Sequence, residues 1–441
     1  MKISEGHRDI LQIAVPAIIS NITVPLLSLT DTTIAGHLGA TRYIGAIAVG
    51  SMIFNVIYWI FGFLRMGTSG LTAQAFGRQD EAEMHRMLLR TLAVGFGIGL
   101  LLILFQKPLL TVAFAFIHSS PEVEILTHQY FDILIWGAPA VLMLYGMNGW
   151  FLGMQNSHYP MFVAILQNIL NIAASLLLVL VFHLQIEGIA AGTVLAQYAG
   201  LALSFVLCRR FNALSHTVSF QSLFEKDVIK SFFKVNRDIF LRTLCIVGVM
   251  SFFTSAGAAQ GTGTLAANAL LMEFFMLFSF FMDGFAYAGE ALSGRCVGER
   301  NIQGFKKNTH RLFEWGLTLA LLFSLAYICC GRALLVFLTN QQAVIEEALT
   351  YLPWLAAVPI VSIAGFLFDG IYIGATATRA MLFSAIGGAG IFFVLHFLLE
   401  PFWGNHALWA AFILYLGIRG AINFYFYPKV VNNIRCNSEK E

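Results

Sequence analysis

Charge is what this chain has least of. Only 11% of its 441 residues are Asp, Glu, Lys or Arg, against about 25% in an ordinary soluble domain. With 58% hydrophobic residues and a mean hydropathy of +0.76, that scarcity excludes a soluble domain and predicts an integral membrane protein. Other absences narrow the class further. The six cysteines (Cys208, Cys245, Cys296, Cys329, Cys330, Cys436) have no paired spacing of a zinc or redox site, so they read as buried free thiols. No His-rich metal motif, Ser-His-Asp order or phosphate-cradling glycine loop stands out. A membrane enzyme is therefore not expected, and no cofactor or metal is called for. The net charge is only +2 and the basic residues lie in loops rather than on one face, so no nucleic acid partner is expected. The first apolar run lacks a small-residue cleavage site and carries Asp31, which predicts a retained helix rather than a signal peptide.

What is present is a long series of apolar runs. A helical span needs about 20 apolar residues, and twelve stretches qualify, from Ile10–Ile34 to Ala407–Tyr427. The fold class expected is an all-α integral membrane protein with twelve transmembrane helices. Of the 26 Lys and Arg, Arg42, Lys107 and Arg332 fall outside, Arg65 and Arg419 fall within spans, and the remaining 21 fall inside if both termini are cytoplasmic. The positive-inside rule selects that orientation. The longest inside segment splits the spans six and six. Residues 1–207 then form one lobe, 208–238 a cytoplasmic linker and 239–441 a second lobe. Two further charged stretches, Arg78 to Arg90 and Glu299 to Arg311, are expected to be solvated loops.

The two halves read as copies. Leu71-Thr72-Ala73-Gln74-Ala75-Phe76-Gly77 precedes Leu292-Ser293-Gly294-Arg295-Cys296-Val297-Gly298 by 221 residues. Gly149 and Gly153 match Gly370 and Gly374 at the same offset of 221. The lobes also begin alike, with His7-Arg8-Asp9-Ile10 against Asn236-Arg237-Asp238-Ile239. Each half has an even number of spans, so the copies share an orientation and form two pseudo-symmetric six-helix bundles. That design places a substrate cavity between lobes that open alternately.

Asp31 lies inside the first apolar run, after Pro16 and Pro25. A charge near the bilayer centre costs roughly 2.5–3.5 kcal/mol on insertion scales, so such residues usually mark an ion path or substrate site. Proline removes a helix hydrogen bond and permits a bend. A buried acid on a bendable helix predicts a transporter driven by protons or sodium. A permanently paired structural acid, with Arg65 as partner, is the alternative reading.

Asn21-Ile22-Thr23-Val24-Pro25-Leu26-Leu27-Ser28-Leu29-Thr30-Asp31-Thr32, followed by Gly36-His37-Leu38-Gly39, resembles the first helix of the MATE exporters (multidrug and toxic compound extrusion). The likeness is to the branch called DinF. Gly70-Leu71-Thr72-Ala73-Gln74-Ala75-Phe76-Gly77, Asp283-Gly284-Phe285-Ala286-Tyr287-Ala288, Leu367-Phe368-Asp369-Gly370 and Gly404-Asn405-His406-Ala407-Leu408-Trp409 resemble the same branch. The resemblance implies two six-helix bundles in a V that export amphiphilic, often cationic, compounds in exchange for protons or sodium. It implies that Asp31 takes up the coupling cation, that the first helix bends at Pro16, and that Asn171 and Thr193 line the same cavity; Pro25, which also precedes Asp31, is a second candidate bend read from the residues themselves. Many relatives carry a second aspartate four residues after the asparagine, where this chain has Ser175. Asn171 and Ser175 share a helix face, so Asp31, Asn171, Ser175 and Thr193 could supply four oxygen ligands to sodium if they converge, but serine cannot carry charge. Asp31 is thus expected to titrate nearly alone, which favours protons over sodium.

The expected cycle has three steps. Ionised Asp31 keeps the outward-facing helix straight, protonation removes its charge-dependent hydrogen bonds, and the helix bends and displaces substrate. The second lobe has its own acids. Asp369 matches an acid that other MATE branches use for cation binding. Glu273 sits mid-span without a counterpart in the resemblance, and Asp283 shares a helix face with Glu290, where Arg419 could neutralise both. The abundant phenylalanines, 41 in number, are expected mostly to face lipid or pack helices. A lipid-linked saccharide flippase of the same superfamily is the other function considered; its cavity should present several basic side chains, and only Arg65 and Arg419 lie deep in the spans. The expected setting is a monomer in a bacterial inner membrane, with the lipid bilayer, protons and small amphiphilic or cationic drugs as partners.

Overall fold

The computed structural model describes residues 5–36, 41–117, 120–211 and 226–439. The His37-Leu38-Gly39 part of the first motif and most of the expected linker lie outside them. The described residues hold helices and no strand. The first half carries α1 (Glu5–Gly36), α2 (Thr41–Ile60), α3 (Phe63–Gly77), α4 (Glu81–Leu104) and α5 (Gln106–Phe116). It continues with α6 (Pro121–Leu134), α7 (Ala138–Gly153), α8 (His158–Leu180) and α9 (Ile186–Cys208). The second half carries α10 (Lys226–Ala259), α11 (Thr262–Gly298), α12 (Ile302–Leu338), α13 (Gln342–Gly374), α14 (Thr378–Trp403) and α15 (Asn405–Glu439). Among the described residues, 11 stretches are long and apolar enough to cross a membrane. The first expected span lies in α1, which is not among these 11.

The repeat extends well beyond the sequence matches. The stretch 41–77 is matched by 262–298, and 121–153 by 342–374, each at an offset of 221. The turns after these helices are also copied. Gln79 (φ 58°) and Arg300 (φ 57°) adopt the left-handed conformation, as do Gln155 (φ 61°) and Thr376 (φ 51°). Such a residue lets the chain leave a helix while satisfying its last carbonyls. Here Asp80 N–H donates to Ala75 O, and Asn301 N–H to Cys296 O. The next helix is then capped in the same way in both halves. The Asp80 side chain accepts from Glu83 N–H at 3.0 Å, and the Asn301 side chain accepts from Gly304 N–H at 2.7 Å. A cap of this kind satisfies one of the free amides at a helix start.

The same register governs packing. A Cβ on Gly149 would lie 2.2 Å from the Arg65 carbonyl oxygen, and one on Gly370 would lie 2.1 Å from that of Ala286. Both partners of the contact shift by 221 together. Small residues at a helix contact let backbones approach where lipid supplies no hydrophobic drive, and only glycine fits here.

The chain divides into two compact units, Ile19–Phe232 and Met1–Ile18 with Phe233–Glu441. The division falls within α1, two residues past Pro16, so the first part of α1 groups with the second half of the sequence. Within that unit Trp315 Nε1 donates to His7 Nδ1 at 3.2 Å, and the Arg311 guanidinium lies against Gly6. Its core includes Phe253, Trp409, Phe412 and Tyr415. The core of the other unit includes Phe54, Tyr130, Phe131 and Ile189, with a second cluster around Trp150 and Phe151.

The two charged stretches expected to be solvated loops are not loops throughout. From Glu81 and from Ile302 they are helical, and one face of each is buried. Arg90 is 1% exposed and pairs with Glu83 at 3.5 Å, while Phe305 and Thr309 lie inside the other unit. Hydropathy alone discards these turns because their outer faces are charged. Residues 226–238, expected in the linker, likewise belong to α10.

Candidate functional site

In the unit Ile19–Phe232, helices α1, α8 and α9 bring Asp31, Asn171 and Thr193 together. The Asp31 carboxylate is in hydrogen-bonding contact with the side chains of Thr193 and Asn171. All three residues are buried. The Asn171 amide Nδ2 donates to Thr193 Oγ1 at 2.7 Å, and Thr193 Oγ1 donates to the Ile189 carbonyl at 3.0 Å. A threonine hydroxyl has one proton. It can serve the Ile189 carbonyl or the Asp31 carboxylate, but not both. In the structure Thr193 Oγ1 donates to the Ile189 carbonyl. No ion pair to Asp31 occurs among the described residues, so the pairing with Arg65 considered from sequence is not formed.

Ser175 is placed differently. It shares the α8 face with Asn171 but packs one turn away, where a Cβ on Gly192 would lie 2.4 Å from its Oγ. Its hydroxyl has no hydrogen-bond partner among the described residues. The glycine brings α8 and α9 close enough for Asn171 to reach Thr193. Pro16 is buried and Pro25 exposed, and α1 is helical across both.

Tyr130, not singled out from sequence, also belongs to this neighbourhood. It is 1% exposed, lies within electrostatic reach of Asp31 and hydrogen-bonds with Ser51. Gly50 makes room for its ring. A tyrosine in a membrane helix is too common to mark itself, and Gly50, which makes room for it, lies 80 positions away in the sequence.

Among the described acids of the other unit, Asp369 has a different setting. Asp369 on α13 is held by two arginines through one oxygen, Oδ2. Arg419 Nη2 on α15 donates at 2.5 Å, and Arg242 Nη2 on α10 donates to the same atom. Arg419 thus neutralises Asp369, rather than the Asp283–Glu290 pair expected from sequence. Arg242 was expected among the 21 inside Lys and Arg; its guanidinium instead lies between helices α10, α13 and α15, and its side chain is 12% exposed. Glu290 is buried, Asp283 half-buried and Glu273 exposed. Glu273 is therefore outside the buried charge cluster.

Three comparisons bear on this arrangement. The sequence profile of the MatE family matches residues 16–177 and 239–398, one block in each half. DNA damage-inducible protein F of Escherichia coli (strain K12) is 35% identical over 423 residues, covering 95% of this chain and 91% of that protein. The probable multidrug resistance protein NorM of Rhizobium meliloti (strain 1021) is 26% identical over 379 residues, covering 82% of this chain and 78% of its own length. A crystal structure of MATE in the bent conformation superposes with a TM-score of 0.89 at 16% identity, covering 99% of this chain and 100% of the other. At that identity the likeness is one of fold.

Proposed function

This chain belongs to the MatE family, a multi-pass membrane transporter rather than an enzyme, and from that premise we propose that it is a proton-coupled exporter of amphiphilic, often cationic, compounds. The observation that carries the reading is Asp31, a buried carboxylate whose hydrogen-bond partners are neutral. An acid locked to an arginine would stay ionised. One held by an amide and a hydroxyl can gain a proton without leaving a bare cation behind.

The residues then divide the work. Ionised Asp31 draws the Asn171 amide and the Thr193 hydroxyl proton. Protonation turns the carboxyl into a donor, and Thr193 returns its proton to the Ile189 carbonyl. The restraint on α1 relaxes, the helix bends near Pro16 or Pro25, and substrate is displaced. Sodium is disfavoured because Ser175, the expected fourth oxygen ligand, is turned to Gly192. We further propose twelve spans including α1, both termini in the cytoplasm, a bacterial inner membrane and a monomeric unit of transport.

The test uses purified protein in liposomes with an imposed proton gradient and no sodium. Wild type should accumulate a fluorescent cationic dye, and Asp31→Asn should not, with unchanged thermal stability. Undiminished transport by the variant would overturn the role of Asp31. Transport that appears only with sodium would replace the coupling ion.

A further inference from the structure

In the unit that contains Phe233–Glu441, the charges at the centre do not cancel. Arg242 and Arg419 share one carboxylate, and they do so through a single atom, Asp369 Oδ2. Among the described residues no other acid pairs with either arginine. One positive charge is left over among membrane helices. A single arginine suffices to neutralise Asp369, and a second cation largely removed from water, as Arg242 is with its side chain 12% exposed, is costly unless an anion compensates it.

The donors that such an anion needs are also in place. Nε of Arg242 and Nε of Arg419 are buried without a hydrogen-bond partner among the described residues. So is the amide Nδ2 of Asn423, a residue that is 0% exposed. Asn423 lies one turn beyond Arg419 on the same face of α15. Buried polar groups normally find partners; Asp369 Oδ1 and the Asn423 amide oxygen lack one as well, but the three donors outnumber these two acceptors and two of them are cationic. Guanidinium groups favour oxyanions, which accept paired N–H bonds in one plane.

We propose that Arg242, Arg419 and Asn423 form a binding site for the anionic headgroup of an amphiphile, a carboxylate or a phosphate monoester. Leu241 and Leu244, exposed on α10 on either side of Arg242 in the sequence, offer the tail an apolar surface. Asp369 holds the two guanidiniums in place and sets the net charge at plus one, so a carboxylate neutralises the cluster, whereas a phosphate monoester, at about −1.5 to −2 at pH 7, exceeds it. Arg242 is the more exposed of the pair and forms the open edge. The site is separate from Asp31 and does not depend on proton coupling.

The test measures binding to the full chain in nanodiscs of zwitterionic lipid by calorimetry. Laurate, dodecyl phosphate and dodecyltrimethylammonium serve as probes with one tail and different heads. Saturable binding of an anionic probe should weaken about 10-fold in Arg242→Gln, a loss of about 1.4 kcal/mol. That variant leaves a neutral Arg419–Asp369 pair, so the fold is expected to survive. Arg242→Lys keeps the charge but loses the planar guanidinium and its Nε donor, so it should also weaken binding, by less than Arg242→Gln. Asn423→Leu alters no charge and should weaken binding about 3-fold. The cationic probe should not distinguish these proteins, and Asp31→Asn should bind the anions like wild type. Whichever anion binds tighter identifies the headgroup. No saturable anion binding by wild type, or equal binding by wild type and Arg242→Gln, overturns the site.

Discussion

The two units share their joints and differ in their charges. Both close a glycine against a carbonyl, at Gly149 and Gly370, and both leave their helices through left-handed residues 221 positions apart. Yet Asp31 sits among neutral partners, while Asp369 is held between two arginines. At the repeat offset of 221, Asp369 falls opposite Asn148, and Arg419 opposite Tyr198. The scaffold therefore fixes where helices touch and leaves open which sign of charge is buried. The helices differ too. The first half interrupts its spans around Gly62, at Phe105 and at Ile135–Gly137, where the second half runs α11, α12 and α13 without a break. A turn of 3₁₀ helix inside a span commonly marks a hinge, and the breaks lie in the unit that holds Asp31.

The largest expected effect separates the two acids by stability. Asp369→Ala strands two buried guanidiniums and should cost about 3–5 kcal/mol, seen as a strong drop in thermal midpoint in detergent. Asp31→Asn should cost about 1 kcal/mol or less while abolishing gradient-driven transport. If the two substitutions destabilise equally, the contrast between a poised acid and a clamped one is wrong. Next come the glycine joints. Gly149→Ala and Gly370→Ala press a methyl onto a backbone carbonyl and should each cost roughly 1–3 kcal/mol. Similar losses would show that the joints are equivalent, and a large asymmetry would show that one unit can yield. The smallest effect concerns the turns. Gln79→Gly and Arg300→Gly relieve a left-handed backbone and should each raise stability by about 1 kcal/mol at most.

Much of this was legible from the chain itself. Glycine and flanking residues at one offset exposed the repeat, because a close backbone approach tolerates no other residue. Asp31, Asn171 and Thr193 could be grouped because a MATE resemblance tied them together across three helices. Ser175 was misplaced in that grouping: helical spacing puts it on the face of Asn171, but a neighbouring glycine decides which helix that face meets. Arg242 was missed for a different reason. An arginine three residues into a span that begins at Ile239 is counted with the cytoplasmic charges that precede it. Its partner Asp369 lies 127 positions away, so no local pattern could restore it. Arg90 was lost the same way, its pairing with Glu83 hidden on the inner face of a charged helical turn.

The capped turns after α3 and α11 have a consequence for how the two halves have been allowed to change. A left-handed residue followed directly by a side-chain cap fixes the number of residues between consecutive helices. Adding or removing one residue there would rotate every later side chain by a large part of a helical turn. From Thr41 to Gly153 and from Thr262 to Gly374 the copies remain equal in length. Sequence in these stretches has drifted freely, but insertions and deletions have left no net trace, because the turns count residues.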